Sequence, residues 1–408
     1  MKSSSFNLQF SVCILHFAFC ILSPSLVEAA ARWVVPITGE PFRAELTAVA
    51  PDGQITFAAD GKPRTMSAAD LVRWGECPEL GRGCFLVLAD GGVLVADVAA
   101  ADKENLTLDS EALGTRKLPL EGLAGVVFQP PAGREERDKL IDRLALADDR
   151  SDRLLLDNGD ELSGTLDGIA ADTVRFQTDV GPLKVKTDRV TAILFNPSLR
   201  RKPSAPSDAL RAWAGFSDGS RLPAARLSSK GKAIEVLSTI GQRFNASRRD
   251  LVFLQPLGGR TTYLSDLKPT ECRQTPFLDL AWPCRADRNV AGGMLRSAGR
   301  LFVKGLGVHG AARLVYALPP PRTPGDDHRR FEALVGIDDA ADGGGSAVFR
   351  VLVDGEERFT SKTIRSGDPP VPVSLGIAGA RQIELVVDYA DRADVLDRAD
   401  WLDARLVD

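Results

Sequence analysis

The stretch RRFEALVGIDDAADGGGSAVFRVLVDG, Arg329–Gly355, fixes the architecture of the C-terminal part of the chain. Two β-prone runs, Phe331 to Ile337 and Ala347 to Lys362, flank an acidic, glycine-rich loop, and the second run turns on Asp354-Gly355. An Asp-Gly pair between alternating apolar residues signals a two-residue hairpin, because both positions tolerate positive φ. Further on, RQIELVVDYA (Arg381 to Ala390) sets Ile383, Leu385, Val387 and Tyr389 on one side of a strand and more polar residues on the other. That is the pattern of a sheet with one buried face. Alternation alone does not separate one sandwich topology from another.

Around this stretch stand other blocks in a fixed order: YLSDL (Tyr263 to Leu267), KGLGVHG (Lys304 to Gly310), SGDPP (Ser366 to Pro370) and DRADWLDARL (Asp397 to Leu406). Taken together, residues 262–408 resemble the NPCBM family of carbohydrate-binding modules, found with glycoside hydrolase family 98. The resemblance implies a jelly-roll, galactose-binding-like β-sandwich whose end loops form the ligand site, a glycan as partner, galactose-containing glycans among the candidates, and no catalysis. Two features depart from the family pattern: the Cys272 and Cys284 pair, and the long proline-rich connection Leu318 to Phe331.

Sugar recognition needs an aromatic face for the apolar side of a pyranose and fixed polar groups for its hydroxyls. The final block offers both types in Asp397, Arg398, Asp400, Trp401 and Asp403. Charged groups form the stronger hydrogen bonds to hydroxyls. A core position for Trp401 and a turn-capping role for Asp400 are the competing readings. His309 sits between glycines that let a ligand or another backbone approach closely, so it is read either as a ligand contact, as the recurring GLGVH implies, or as structural. Arg365 could reach a hydroxyl from the rigid RSGDPP turn. Asp338 and Asp339 present adjacent carboxylates before Gly343 to Gly345, which suits a structural Ca2+, with solvated turn acids as the alternative. Trp282, Phe277 and Tyr316 are assigned to the core.

Upstream, the sequence repeats itself. FLVLADGGVLVADV from Phe85, RLLLDNGDELSGTL from Arg153 and RAWAGFSDGSRLPAARL from Arg211 each run into a turn dipeptide and out again, and each copy closes on AGVVFQP, TAILFNP or DLVFLQP. A weaker copy spans Phe42 to Trp74. The fold class is therefore all-β: small SH3-like or Sm-like barrel units precede the sandwich. The expected divisions are a signal peptide at 1–29, β units at 32–80 and 81–132, a helical connector at 133–151, a β unit at 152–200, a linker at 201–210 and a last β unit at 211–258. Leu140, Ile141, Leu144 and Leu146 give the connector its helical spacing.

Lys2 followed by an apolar stretch, Phe10 to Leu26, and small residues Ala29 to Ala31 reads as a cleaved export signal, with an uncleaved anchor as the alternative. Without that segment no membrane span is expected, and the protein is placed in the cell envelope or outside it. Four cysteines remain in two short pairs, Cys77 with Cys84 and Cys272 with Cys284, read as disulfides of an oxidising compartment. Their spacing is not that of a tetrahedral zinc site. Lys and Arg number 51 against 55 Asp and Glu, without a basic stripe, which argues against nucleic acid. Between the signal and Tyr263 there is no histidine, and acid pairs such as Asp148-Asp149 fall in connectors. The expected protein is non-catalytic: a glycan binder whose repeats act as spacer or platform. Its alternatives are an envelope interaction protein with an envelope protein partner, and an accessory subunit of a separate hydrolase.

Overall fold

The computed structural model describes residues 31–203, 211–277, 280–320 and 329–408. The expected signal segment and most of the expected linker lie outside them. Apart from the Arg134–Leu146 helix and short 3-10 turns, the described chain is strand and loop.

The repeats fold as meanders whose last strand returns to pair with the first, as seen in Val34↔Trp74, Leu86↔Val126, Leu154↔Ile193 and Ala214↔Leu254. The units do not stand apart. Pairs such as Val126↔Ile193, Phe253↔Gly75, Arg221↔Val93 and Ile169↔Ala101 join one unit to the next. One apolar cluster draws Phe57, Leu108, Phe176 and Phe244 from all four units. The physical reason is size: a unit of ~40 residues buries too small a fraction of its surface to stand alone, and its open edges are a liability until paired.

The repeated turns also differ from the two-residue form that their dipeptides suggest. Gly91, Gly159 and Gly219 take positive φ. Each donates its N–H three residues back, to Leu88, Leu156 and Phe216, while Asp90, Asn158 and Asp218 accept the N–H two residues on. This is a three-residue loop with a left-handed glycine. Asp354-Gly355 does form the two-residue turn, with φ of 49° and 85° and Val353 opposite Glu356.

The helix buries Leu140, Ile141 and Leu144 against Phe85, Val127 and Leu194 of the second and third units. Leu146, read as part of the same stripe, is exposed.

Residues from Thr261 onward build a two-sheet β-sandwich. The first sheet runs Arg285–Ala286, Gly305–His309, Arg398–Val407, Arg330–Ile337 and Val371–Gly376, with Thr261–Tyr263 also on Arg398–Val407. The second runs Glu271–Gln274, Ala312–Ala317, Gln382–Tyr389, Ser346–Val353 and Glu356–Thr360, with Ile364–Arg365 on Ser346–Val353. Leu314, Phe331, Phe349, Leu385 and Trp401 fill the space between them.

Arg398–Val407 is the central strand, and it is covered on both faces. Ala399 and Trp401 point between the sheets, while Leu402 packs on Leu295 and Phe302. Asp403, at φ 49°, bulges opposite the shift between Glu332 and Leu334, so that Ala404 and Leu406 return to the inter-sheet core.

The outer face is closed by the N-terminal units. Gln255 donates to Asp403 at 3.0 Å and to the Tyr263 hydroxyl at 2.7 Å, and Val407 packs on Ile37 and Val72. Nearby, Arg296 is buried and bonds Glu79 at 2.7 Å and both oxygens of helix residue Asp138. Arg288 grips Asp142 through Nε and Nη2. Helix, repeats and sandwich thus share ion pairs, of which the buried Arg296–Asp138 pair is strongly destabilising to break singly.

Candidate functional site

His309 ends its strand at one pole of the sandwich, where the loops following Gln274 and Tyr389 meet. The first of these loops is fixed at several points. Cys272 is bonded to Cys284, Gln274 accepts from the Trp282 N–H and donates to the Gly310 carbonyl, and Asp394 accepts from the Phe277 N–H. Trp282 consequently lies parallel to His309, with 5.2 Å between ring centroids and 8° between planes. Together with Leu280, Asp394, Leu396 and Arg398, the two rings line a cleft of about 210 Å³. That is below the roughly 300 Å³ at which pockets for drug-sized ligands begin, and it suits a single ring.

Burial lowers the His309 pKa, outweighing the pull of Asp394 in the other direction, so the imidazole is neutral. Its buried Nδ1 has no hydrogen-bond partner among the described residues. A neutral imidazole offers one donor and one acceptor, the pair a sugar hydroxyl can answer. Arg398 donates to the Ala340 carbonyl at 2.7 Å, which holds the guanidinium in place beside the cleft.

The same pole carries an apolar rim. Phe277 and Tyr389 meet edge to face at 6.1 Å, and both are exposed, as are Leu280, Val395 and Leu396. Phe277 and Trp282 are therefore not core residues, because the bonded cysteines hold their loop outside the two sheets. Tyr316 is core as expected. The clue in the sequence was that a short loop with Pro276 and Pro283, closed by two cysteines, cannot carry its aromatic residues into the interior.

The other expected site residues separate. Trp401 has no exposed surface and stands edge-on to Phe349 at 5.3 Å, so it supplies no plate for a sugar. Asp400 is fully buried on the same strand, pairing with Gly307 on one side and Gly336 on the other. No N–H reaches its carboxyl group, and burial beside Asp338 raises its pKa far above the usual range. Asp338, beside it, accepts from Asn289, Arg296 and Ala340.

Asp397 is buried next to the cleft without lining it. One oxygen accepts the Ser346 N–H at 2.7 Å, the other is unpartnered, and burial pushes the carboxyl up to about 7. Arg365 is exposed and paired with Asp391 at 2.9 Å, outside the cleft lining.

A calcium ion takes six to eight oxygens. Asp338 spends its oxygens on N–H groups, and Asp339 accepts from Gly299. Among the described residues no group of three His, Cys, Asp or Glu converges on one point. The Asp338-Asp339 pair does not fit that ion.

The Cys77 and Cys84 pairing is also corrected, since both thiols are free. Cys77 is buried in a bridge to Leu301 of the sandwich, and burial raises its pKa to about 11. Elsewhere, Gly215-Phe216-Ser217-Asp218-Gly219 has the spacing of a nucleophile elbow. It joins two strands rather than a strand and a helix, so it lacks the context that motif requires. Another cleft, of about 510 Å³, lies between the second and third units and is lined by residues such as Asn105, Leu120, Thr165 and Phe195, without a histidine or tryptophan.

A 121-residue stretch is 35% identical to the alpha-1,3-galactosidase B of Akkermansia muciniphila, covering 29% of this chain and 15% of that protein. This chain thus spans only a small part of that relative's length. Among solved structures, the CBM51 from Clostridium perfringens GH95 in complex with methyl-galactose is 27% identical, covering 36% of this chain and 99% of that one, at a TM-score of 0.31. The CBM51-2 and INT domains of Clostridium perfringens ZmpB are 26% identical, covering 45% and 37%, at a TM-score of 0.32. The site described above falls within residues 260–407, which match the NPCBM/NEW2 domain, a non-catalytic carbohydrate-binding module.

Proposed function

We propose that this protein binds a glycan by seating one galactose-type ring in the His309 cleft. Trp282 offers its indole beside the ring, and His309 and Arg398 read the hydroxyls. The observation that carries this reading is a cleft of single-ring size in which the stacked rings of His309 and Trp282 stand beside Arg398 and Asp394. Galactose is the first ligand to test, because the chain shares a stretch with an alpha-1,3-galactosidase. The sandwich is read as a jelly roll, and the joined five-strand meanders, SH3-like in order, as a spacer or a platform for an envelope partner. Export to the envelope or beyond rests on the segment 1–29. Among the described residues no helix is long and apolar enough to cross a membrane.

Isothermal titration of the full chain with galactose and methyl α-galactoside tests the reading. Binding that is lost in His309→Ala while the thermal transition is kept supports it. No binding to any galactoside, or binding indifferent to His309, refutes it.

A further inference from the structure

The His309 cleft does not end at the sandwich. Arg398, on its wall, lies 3.8 Å from Glu135 of the helix that joins the second and third units. Glu135 in turn pairs with Lys139, one turn further along, at 2.7 Å. Lys139 lines a second cleft of about 460 Å³ between that helix and the Arg285 to Gly292 segment of the sandwich. The two clefts are therefore linked through the contacts of Arg398, Glu135 and Lys139.

The chemistry of the second cleft indicates what it takes. Its charged lining is balanced: Lys139, Arg143 and Arg285 face Asp142, Asp148 and Asp149. Asp142 is held by Arg288, Asp149 by Arg153 and Arg143 by Glu161. Arg285 and Asp148 have no ion-pair partner among the described residues, and Arg285 spends only its Nε, on the Val290 carbonyl. One spare donor fork and one spare acceptor, with exposed Leu146 beside them, match the hydroxyls and apolar face of an uncharged sugar. Balanced charge disfavours an anionic unit.

We infer that the second cleft is a subsite for a neutral sugar, so that the full chain recognises an oligosaccharide whose next unit lies between the sandwich and the helix. This rests on the glycan reading of the His309 cleft, and it gives the upstream helix a part in recognition that the module alone lacks.

The test compares methyl α-galactoside with a neutral, α-1,3-linked, galactose-terminated trisaccharide on the full chain by titration. The trisaccharide is expected to bind about tenfold tighter, and Arg285→Ala and Asp148→Ala are each expected to erase most of that ratio. Equal affinities in the natural protein, an unchanged ratio in both variants, or a preference for a sialylated trisaccharide would overturn the subsite. Failure of both ligands to bind would remove the parent reading and the subsite with it. Monosaccharide binding without a gain for the trisaccharide removes the subsite alone.

Discussion

The indole of Trp282 and the imidazole of His309 lie face to face, with 8° between their planes, at the mouth of the sandwich pole. The pair can receive a ligand because its loop is held by a disulfide and by Gln274 rather than by the core. Trp282→Ala is expected to weaken galactoside binding about tenfold, ~1.4 kcal/mol, with little change in melting temperature. Titration and a thermal melt of the same preparation check both halves.

Trp401 behaves oppositely. It fills the space between the sheets beside Phe331 and Phe349. Trp401→Ala is expected to cost ~3–5 kcal/mol of stability, in the range for truncating a buried aromatic side chain. Chemical denaturation followed by circular dichroism measures it. A loss under ~1 kcal/mol would contradict a core role.

Asp397 ties stability to pH. Its pKa rises on folding from 3.8 to about 7, chiefly by burial, so between those values the native chain holds a proton that the unfolded chain has released. Stability contributed by this group is complete below about 3.8 and is lost as pH rises through about 7. Asp397→Asn is expected to flatten the decline in melting temperature between pH 3.8 and about 7, the interval bounded by the unfolded and folded values. A slope unchanged by the substitution would assign that decline to other groups, Asp400 first.

Asp138 ties the helix to the sandwich by receiving Arg296 and the Met294 N–H. Asp138→Ala leaves buried Arg296 with Glu79 as its one carboxylate partner among the described residues, and a loss of ~3–5 kcal/mol is expected. Calorimetry of the full chain should show a lowered transition. An unchanged transition would mean that solvent replaces the pair.

The thiols offer a direct check of connectivity. Cys272 and Cys284 should appear as a linked peptide pair by mass spectrometry without reductant, and their removal should cost about 3 kcal/mol by the loop-closure relation. Cys77 and Cys84 should be free, with Cys77 alkylated only on denaturation because it is buried and its pKa is raised to about 11.

Much of this architecture was legible in the residues. Alternation in Gln382–Tyr389, the Asp354-Gly355 turn, the Arg134–Leu146 helix and the order of blocks after Tyr263 all have local causes: side-chain period, turn φ and helical spacing. The errors share a different cause. Whether Trp401 faces a ligand or a core depends on what covers each face of its strand, and here the second sheet covers one face while the repeats cover the other. The same holds for Cys77, whose backbone bridges to Leu301 far along the chain instead of curling toward Cys84. His309 was a candidate from its glycine setting and the recurring GLGVH, and it lines the cleft. Trp282 was read as core although the Cys272 and Cys284 pair, itself expected from the sequence, closes the short loop that holds it outside the sheets.

The ion pairs of Arg296 and Arg288 with the helix have a consequence for presentation. A lectin on a slack tether samples many bearings, and neighbouring copies can then engage irregularly spaced sugars at an effective concentration set by tether length. Here the cleft is bolted to its pedestal at one angle. With a sugar seated in the cleft as proposed, arrays of this protein would gain avidity only on glycans whose spacing and tilt match that angle.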